Sequence, residues 1–128
     1  VRLLLDTCSF LWVTATPERI PKHVIDIVRQ PDNIIFLSVS SAWEIAIKYK
    51  IQRLNLRKAP DLYIPDCVTQ YDLKLLNVEL GHVTKAGALP LHHQDPFDRL
   101  LIAQAQLEDL IIVTPDQAFA AYEVEKLW

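Results

Sequence analysis

The stretch "RLLLDTCSFLWVTA", Arg2 to Ala15, decides the fold. Leu3, Leu4 and Leu5 are consecutive apolar residues with no polar alternation, the pattern of a strand covered on both faces. After Asp6 the period changes: Phe10, Leu11 and Thr14 share one face of a helix. A buried strand that runs straight into a helix is the first half of a βαβ unit. The same succession recurs downstream. "NIIFLSVS" (33–40) reads as a second strand. The helical stretch "SAWEIAIKYK" (41–50) follows, with Trp43, Ile47 and Ile51 on one stripe. "LKLLNV" (73–78) precedes the helical "ELGHVTKAGAL" (79–89). "LIIVT" (110–114) precedes the short helical "PDQAFAAY" (115–122).

Other segments fill the pattern. Pro21 suits the first turn of a helix that runs to about Arg29, with Val24, Ile25 and Val28 on its apolar face. Leu54 to Tyr71 is mixed and reads as a helix interrupted or restarted at Pro65. Asp95 to Leu107 is the longest clear helix, and "VEKLW" (124–128) is a fifth, edge strand. Strands that alternate with helices need crossovers and favour a parallel sheet. The expected fold is therefore α/β: a three-layer α/β/α sandwich around a mostly parallel sheet of four to five strands, one domain spanning residues 1–128.

Bulk properties narrow the classes. With 51% hydrophobic residues among 128, the chain can bury a core and is not a disordered tail. Only two glycines argue against a turn-rich sandwich or barrel. No apolar run approaches a membrane span, and no signal-peptide pattern opens the chain. Methionine is absent, the initiator included, so the first residue is expected to be missing. Two cysteines, Cys8 and Cys67, give no disulfide framework and read as buried free thiols in a reduced cytoplasm. The net charge of −3 offers no bulk attraction to nucleic acid. Its distribution does: Ile45 to Pro60 holds no acid, whereas Lys48, Lys50, Arg53, Arg57 and Lys58 all fall there.

The acids carry the chemistry. Asp6 ends the first strand, Glu44 sits in the first turn of the helix after the second, and Asp116 follows the fourth. In an open α/β sheet, ligands bind outside the carboxyl ends of the strands. Asp98, in the first turn of the Asp95 helix, joins them if that helix begins at the same rim. Each acid also has a capping explanation. Asp6, Asp95 and Asp116 are placed as N-caps, and Ser41-x-x-Glu44 is a capping box. Capping imposes no convergence, however, and carboxylates that converge repel unless a cation is present. A hard oxygen set suits Mg²⁺ or Mn²⁺, with one or two ions serving phosphoryl transfer. The four histidines lack zinc spacing; His93 is a candidate phosphate neighbour, and Arg99 pairs with an acid, faces a phosphate or forms a surface ion pair. No G-x-S-x-G and no Gly-rich phosphate loop occurs.

With these segments in place the chain resembles the PIN-domain family, specifically VapC-type toxin ribonucleases of bacterial toxin–antitoxin pairs. "LLLDTCSFLW", "SVSSAWEIAIKYKIQRLNL", "LPLHHQDPFDRLLIAQA" and "IIVTPDQAFAAYEV" match the family's four motif segments in order and spacing. The resemblance implies a PIN-like fold and metal-binding, catalytic carboxylates at Asp6, Glu44, Asp98 and Asp116. It implies that Thr7 and Thr114 orient them and that Asp95 serves as cap and outer support. It further implies a homodimer, an antitoxin whose C-terminal segment blocks the acidic groove, and an RNA substrate cut by Mg²⁺-dependent hydrolysis. Lys48, Lys50, Arg53, Arg57 and Lys58 would hold RNA phosphates, while Trp12 and Trp43 read as core. Two other readings remain. One is a metal-dependent phosphohydrolase with Asp6 as nucleophile, which lacks the usual second acid at Cys8. The other is a catalytically inactive PIN-like partner-binding module.

Overall fold

The computed structural model describes residues 1–128. Five strands form one all-parallel sheet: β1 (Arg2–Leu5), β2 (Ile34–Ser38), β3 (Lys74–Leu76), β4 (Ile111–Val113) and β5 (Lys126–Leu127). Their spatial order is β3-β2-β1-β4-β5. The chain therefore builds outward from β1 on one side, then returns to add β4 and β5 on the other. The order reverses between β1 and β4, and that switch point is where an α/β sheet opens a crevice. The expected parallel sheet and three layers are found, with the last strand at the edge.

Six helices cover the two faces: α1 (Thr7–Ala15), α2 (Lys22–Val28), α3 (Val39–Lys50), α4 (Pro60–Gln70), α5 (Leu80–Ala88) and α6 (Pro96–Glu108). Strand alternation sorts the core into two. Leu3, Leu5, Ile35, Leu37 and Val113 face one way, against Phe10 and Val13 of α1, Val24 and Val28 of α2, Ile45 of α3 and Ile64 of α4. Leu4 and Ile112 face the other way, against Leu101, Ile102 and Ala105 of α6 and Phe119. Leu3, Leu4 and Leu5 are wholly buried, which is why the opening run needs no polar alternation. Each such side chain contributes roughly 1.5–3 kcal/mol by leaving water.

Three local expectations are corrected. First, α4 is continuous from Pro60 through Pro65 to Gln70. Pro60 occupies a permitted first-turn position, and burial of Tyr63, Ile64 and Cys67 offsets the hydrogen bond that Pro65 cannot make. Second, α3 begins at Val39, capped by the Ser38 hydroxyl accepting from the Ser40 N–H at 3.1 Å. Ser41 is thus inside the helix, its buried hydroxyl without a partner, and Glu44 lies in the second turn rather than in a capping box. Third, the Trp43–Ile47–Ile51 stripe faces solvent: Trp43 is 65% exposed, not core. The buried face of α3 instead carries Ser40, Ser41, Glu44 and Ile45. Trp12 is half-buried, against Trp128 at 5.7 Å. The "PDQAFAAY" segment is a single 3-10 stretch, Gln117–Ala121.

Candidate metal centre and nucleic-acid interface

Asp6 is placed by the end of β1, which runs directly into α1. Its Oδ1 accepts from the Ser9 N–H at 2.7 Å, capping the helix, and its Oδ2 accepts from the Thr114 hydroxyl at 2.6 Å. Thr114 follows β4, so this one bond ties the carboxyl ends of the two strands that flank the switch point. The same threonine oxygen accepts the Asp116 N–H at 3.0 Å, and Asp116 in turn caps the Gln117–Ala121 turn through the Ala118 N–H at 2.9 Å. Glu44, reaching from the buried face of α3, accepts from the Thr7 hydroxyl at 2.6 Å and from the Lys48 ammonium at 2.7 Å. Asp95 caps α6, accepting the Phe97 and Asp98 N–H groups at 2.9 and 3.3 Å. That cap, with Pro96 at the first helical position, aims Asp98 along the first turn.

These side chains share one cleft of about 430 Å³, lined among others by Asp6, Thr7, Glu44, Asp95, Asp98 and Asp116. The acids do not scatter over opposite faces. Five carboxylates meet only two cationic side chains there, Lys48 and Arg53. Burial raises the Asp6 pKa, its hydrogen bonds from Thr114 and Ser9 pull it back, and the Asp116 charge adds to the rise. Asp98 is pushed up to about 6, by burial first and then by the Asp95 charge, with Asp6 adding and His93 opposing. The Lys48 ammonium is held above its ordinary value by its hydrogen bond to Glu44, with Asp95 and Asp98 adding to the field. A divalent cation would relieve this repulsion, and oxygen donors of this kind fit a hard one. The N-termini of α1 and α6 open at the same place and add positive potential for an anion. Cys8 also lines the cleft, but burial and the Asp6 charge push its thiol up to about 11, which removes it as a nucleophile.

The basic stretch is split by the fold. Lys48 and Arg53 reach the cleft. Arg57 lies over the Tyr63 ring at 5.3 Å, Lys58 pairs with Asp66, and Lys50 is exposed at the end of α3. Arg99 is a correction: it neither pairs with an acid nor sits on the surface. It is buried, and its guanidinium donates to the carbonyls of Ala86, Leu89, Pro90 and His93 at 2.8–3.1 Å, with a longer 3.4 Å contact to the Tyr122 hydroxyl. It clamps the α5–α6 loop. Two further residues hold the acids in place, Ser9, which had no sequence signal, and His93, which was expected beside a phosphate. Ser9 is fully buried and fastens α1 to β4 through its hydroxyl and the Val113 carbonyl at 2.8 Å. His93 directs Nε2 to Asp98 Oδ2 at 2.8 Å, so its contact is with a carboxylate of the cleft.

The family model described as PIN domain matches residues 3–125. Ribonuclease VapC16 of Mycobacterium tuberculosis (strain ATCC 25618 / H37Rv) is 34% identical over 90 residues, 64% of this chain and 64% of that protein. Solved structures agree in fold at low identity. A chain of VapBC2 from Rickettsia felis, bound to a DNA fragment from its promoter, superposes with TM-score 0.74 at 13% identity, over 99% of this chain and 98% of that one. A chain of DNA-bound VapBC from Salmonella typhimurium gives 0.70 at 14%, over 99% and 97%.

Proposed function

The chain belongs to the PIN domain family, and from that premise we propose that it is a divalent-metal-dependent endoribonuclease, the toxin of a toxin–antitoxin pair. The observation that carries this reading is the single cleft in which five carboxylates from four separate junctions meet two cations. Asp6, Glu44, Asp98 and Asp116 would hold one or two Mg²⁺ or Mn²⁺ ions. When bound, such an ion lowers the pKa of a water and offsets charge on the phosphoryl oxygens. The rest is done by the chain. Thr7 and Thr114 each fix one carboxylate oxygen, so the donors are oriented before an ion arrives. Asp95 holds the α6 terminus, and with it Asp98. Lys48 and Arg53 face the cleft and would contact backbone phosphates, which gives weakly sequence-dependent binding. Lys50, Arg57 and Lys58 lie further from the acids and would act at the margin.

The identity to a ribonuclease supports RNA as the substrate. The fold shared with VapBC assemblies supports an antitoxin as partner, and the segment that would block the acidic groove is proposed to come from it. The exposed apolar side chains of α3 support a homodimer through that helix. No helix is long and apolar enough to cross a membrane, and the site of action we propose is the cytoplasm. Cys8 stands where a second acid would follow Asp6, which does not favour the alternative of Asp6 as a covalent nucleophile. The test is to sequence RNA 5′ ends after brief expression, against an Asp98→Asn control. New ends that appear only with the unaltered chain are expected; none, with the chain soluble and folded, would leave the inactive partner-binding module.

A further inference from the structure

His93 stands behind the cleft lining, bonded to Asp98, without a task in the function proposed above. It lies in the loop between α5 and α6, and its position is fixed from three sides. Its backbone N–H donates to the Tyr122 hydroxyl at 2.8 Å, and its carbonyl accepts from Arg99 at 3.1 Å. Its ring packs edge-on against Phe119, centroids 6.1 Å apart. A ring held this firmly has one choice left, where its outer nitrogen points. Nε2 stands 2.8 Å from Asp98 Oδ2 and 3.8 Å from Asp116 Oδ2. One donor atom from each of the three residues falls within 4.8 Å of the others. His92 does not share this arrangement: it is exposed and packs on Tyr122 at 5.3 Å.

We propose that His93 is a nitrogen ligand to the cleft's divalent ion, beside Asp98 and Asp116, and that it biases the site toward Mn²⁺ over Mg²⁺. The inference rests on the metal-site reading given under Proposed function. Geometry supports it. In a six-coordinate ion with bonds of about 2.1 Å, neighbouring ligand atoms lie about 3.0 Å apart and opposite ones about 4.2 Å. The two separations from Nε2, 2.8 and 3.8 Å, lie below those limits and the third is within 4.8 Å, so small side-chain movements would let an ion meet all three donors. Chemistry gives the consequence. Imidazole is a poor ligand for Mg²⁺, which demands hard oxygen and keeps its waters, and a good one for transition ions. A wholly carboxylate cleft would discriminate less between the two.

The competing role is positioning: the hydrogen bond from His93 holds Asp98 and the ion never touches nitrogen. His93→Gln separates the two, because a glutamine amide can still donate to Asp98 but supplies no imidazole. Mn²⁺ is titrated into the full chain with Mg²⁺ as competitor, free Mn²⁺ being read by electron paramagnetic resonance and bound nitrogen by spin-echo modulation. The expected result is the modulation of one imidazole nitrogen, changed by ¹⁵N-histidine labelling, lost in His93→Gln and kept in His92→Gln. The preference for Mn²⁺ over Mg²⁺ should fall about tenfold or more in His93→Gln. Mn²⁺ bound to the unaltered chain without nitrogen modulation would overturn this inference alone. So would modulation and preference that survive His93→Gln. No Mn²⁺ binding at all would overturn it together with the metal-site reading.

Discussion

Asp98 is a carboxyl kept partly out of water beside other acids, and its folded pKa of about 6 stands above the ordinary 3.8. Between those values the folded chain binds more protons than the unfolded one. The group's contribution to stability is therefore full below about pH 3.8 and is lost as pH rises through 6. Metal-free Asp98→Asn should lack that decline and melt roughly 3–6 °C above the unaltered protein at pH 7, the gap closing near pH 3.5 and on adding a divalent ion. Thermal scans at several pH values check this. Arg99 makes the opposite kind of prediction. Its side chain satisfies four carbonyls in a buried place, so Arg99→Leu should cost about 2–4 kcal/mol in urea unfolding. Asp98 was legible from its place in the helix start, whereas Arg99 was expected to pair with an acid, face a phosphate or form a surface ion pair. Nothing local tells an arginine that pairs with carbonyls from one that pairs with acids; the carbonyls belong to the preceding helix and loop.

At the scale of elements, α3 shows what periodicity conveys and what it does not. The spacing of Trp43, Ile47 and Ile51 correctly marks one stripe of a helix. It does not say whether the core or a partner covers it, and here the stripe is outside. The buried stripe is mostly polar, Ser40, Ser41 and Glu44 beside Ile45, and Glu44 meets Thr7 at the start of α1. Trp43→Ala combined with Ile47→Asp should convert the proposed dimer to a monomer in sedimentation velocity with the fold intact. An unaltered sedimentation coefficient would remove α3 as the dimer surface. Glu44 was legible as an acid of the cleft but not its position, since α3 is capped at Ser38, three residues before the Ser41 of the expected capping box. For the charges that follow, Arg53→Ala should reduce the slope of log affinity for single-stranded RNA against log salt by about 0.7, and Lys58→Ala should leave it near unchanged.

The whole molecule was the most legible level. Uninterrupted apolar strands alternating with helices left few arrangements, and the two-sided core follows directly from the consecutive leucines of β1. Capping and convergence proved compatible: Asp6, Asp95 and Asp116 are caps and cleft residues at once, because the helix N-termini open where the strands end. The details that escaped the sequence, His93 beside Asp98 and Ser9 between α1 and β4, are contacts across chain distance with no periodic signature. The central claim is that this convergence exists to hold a divalent ion for RNA hydrolysis. Its most direct test is cleavage of a defined RNA by the purified chain, with Mg²⁺ or Mn²⁺ and with EDTA, for the unaltered protein and for Asp6→Asn. Metal-dependent cleavage that EDTA abolishes and Asp6→Asn lowers at least about 100-fold is predicted. Cleavage undiminished by either change would contradict the account.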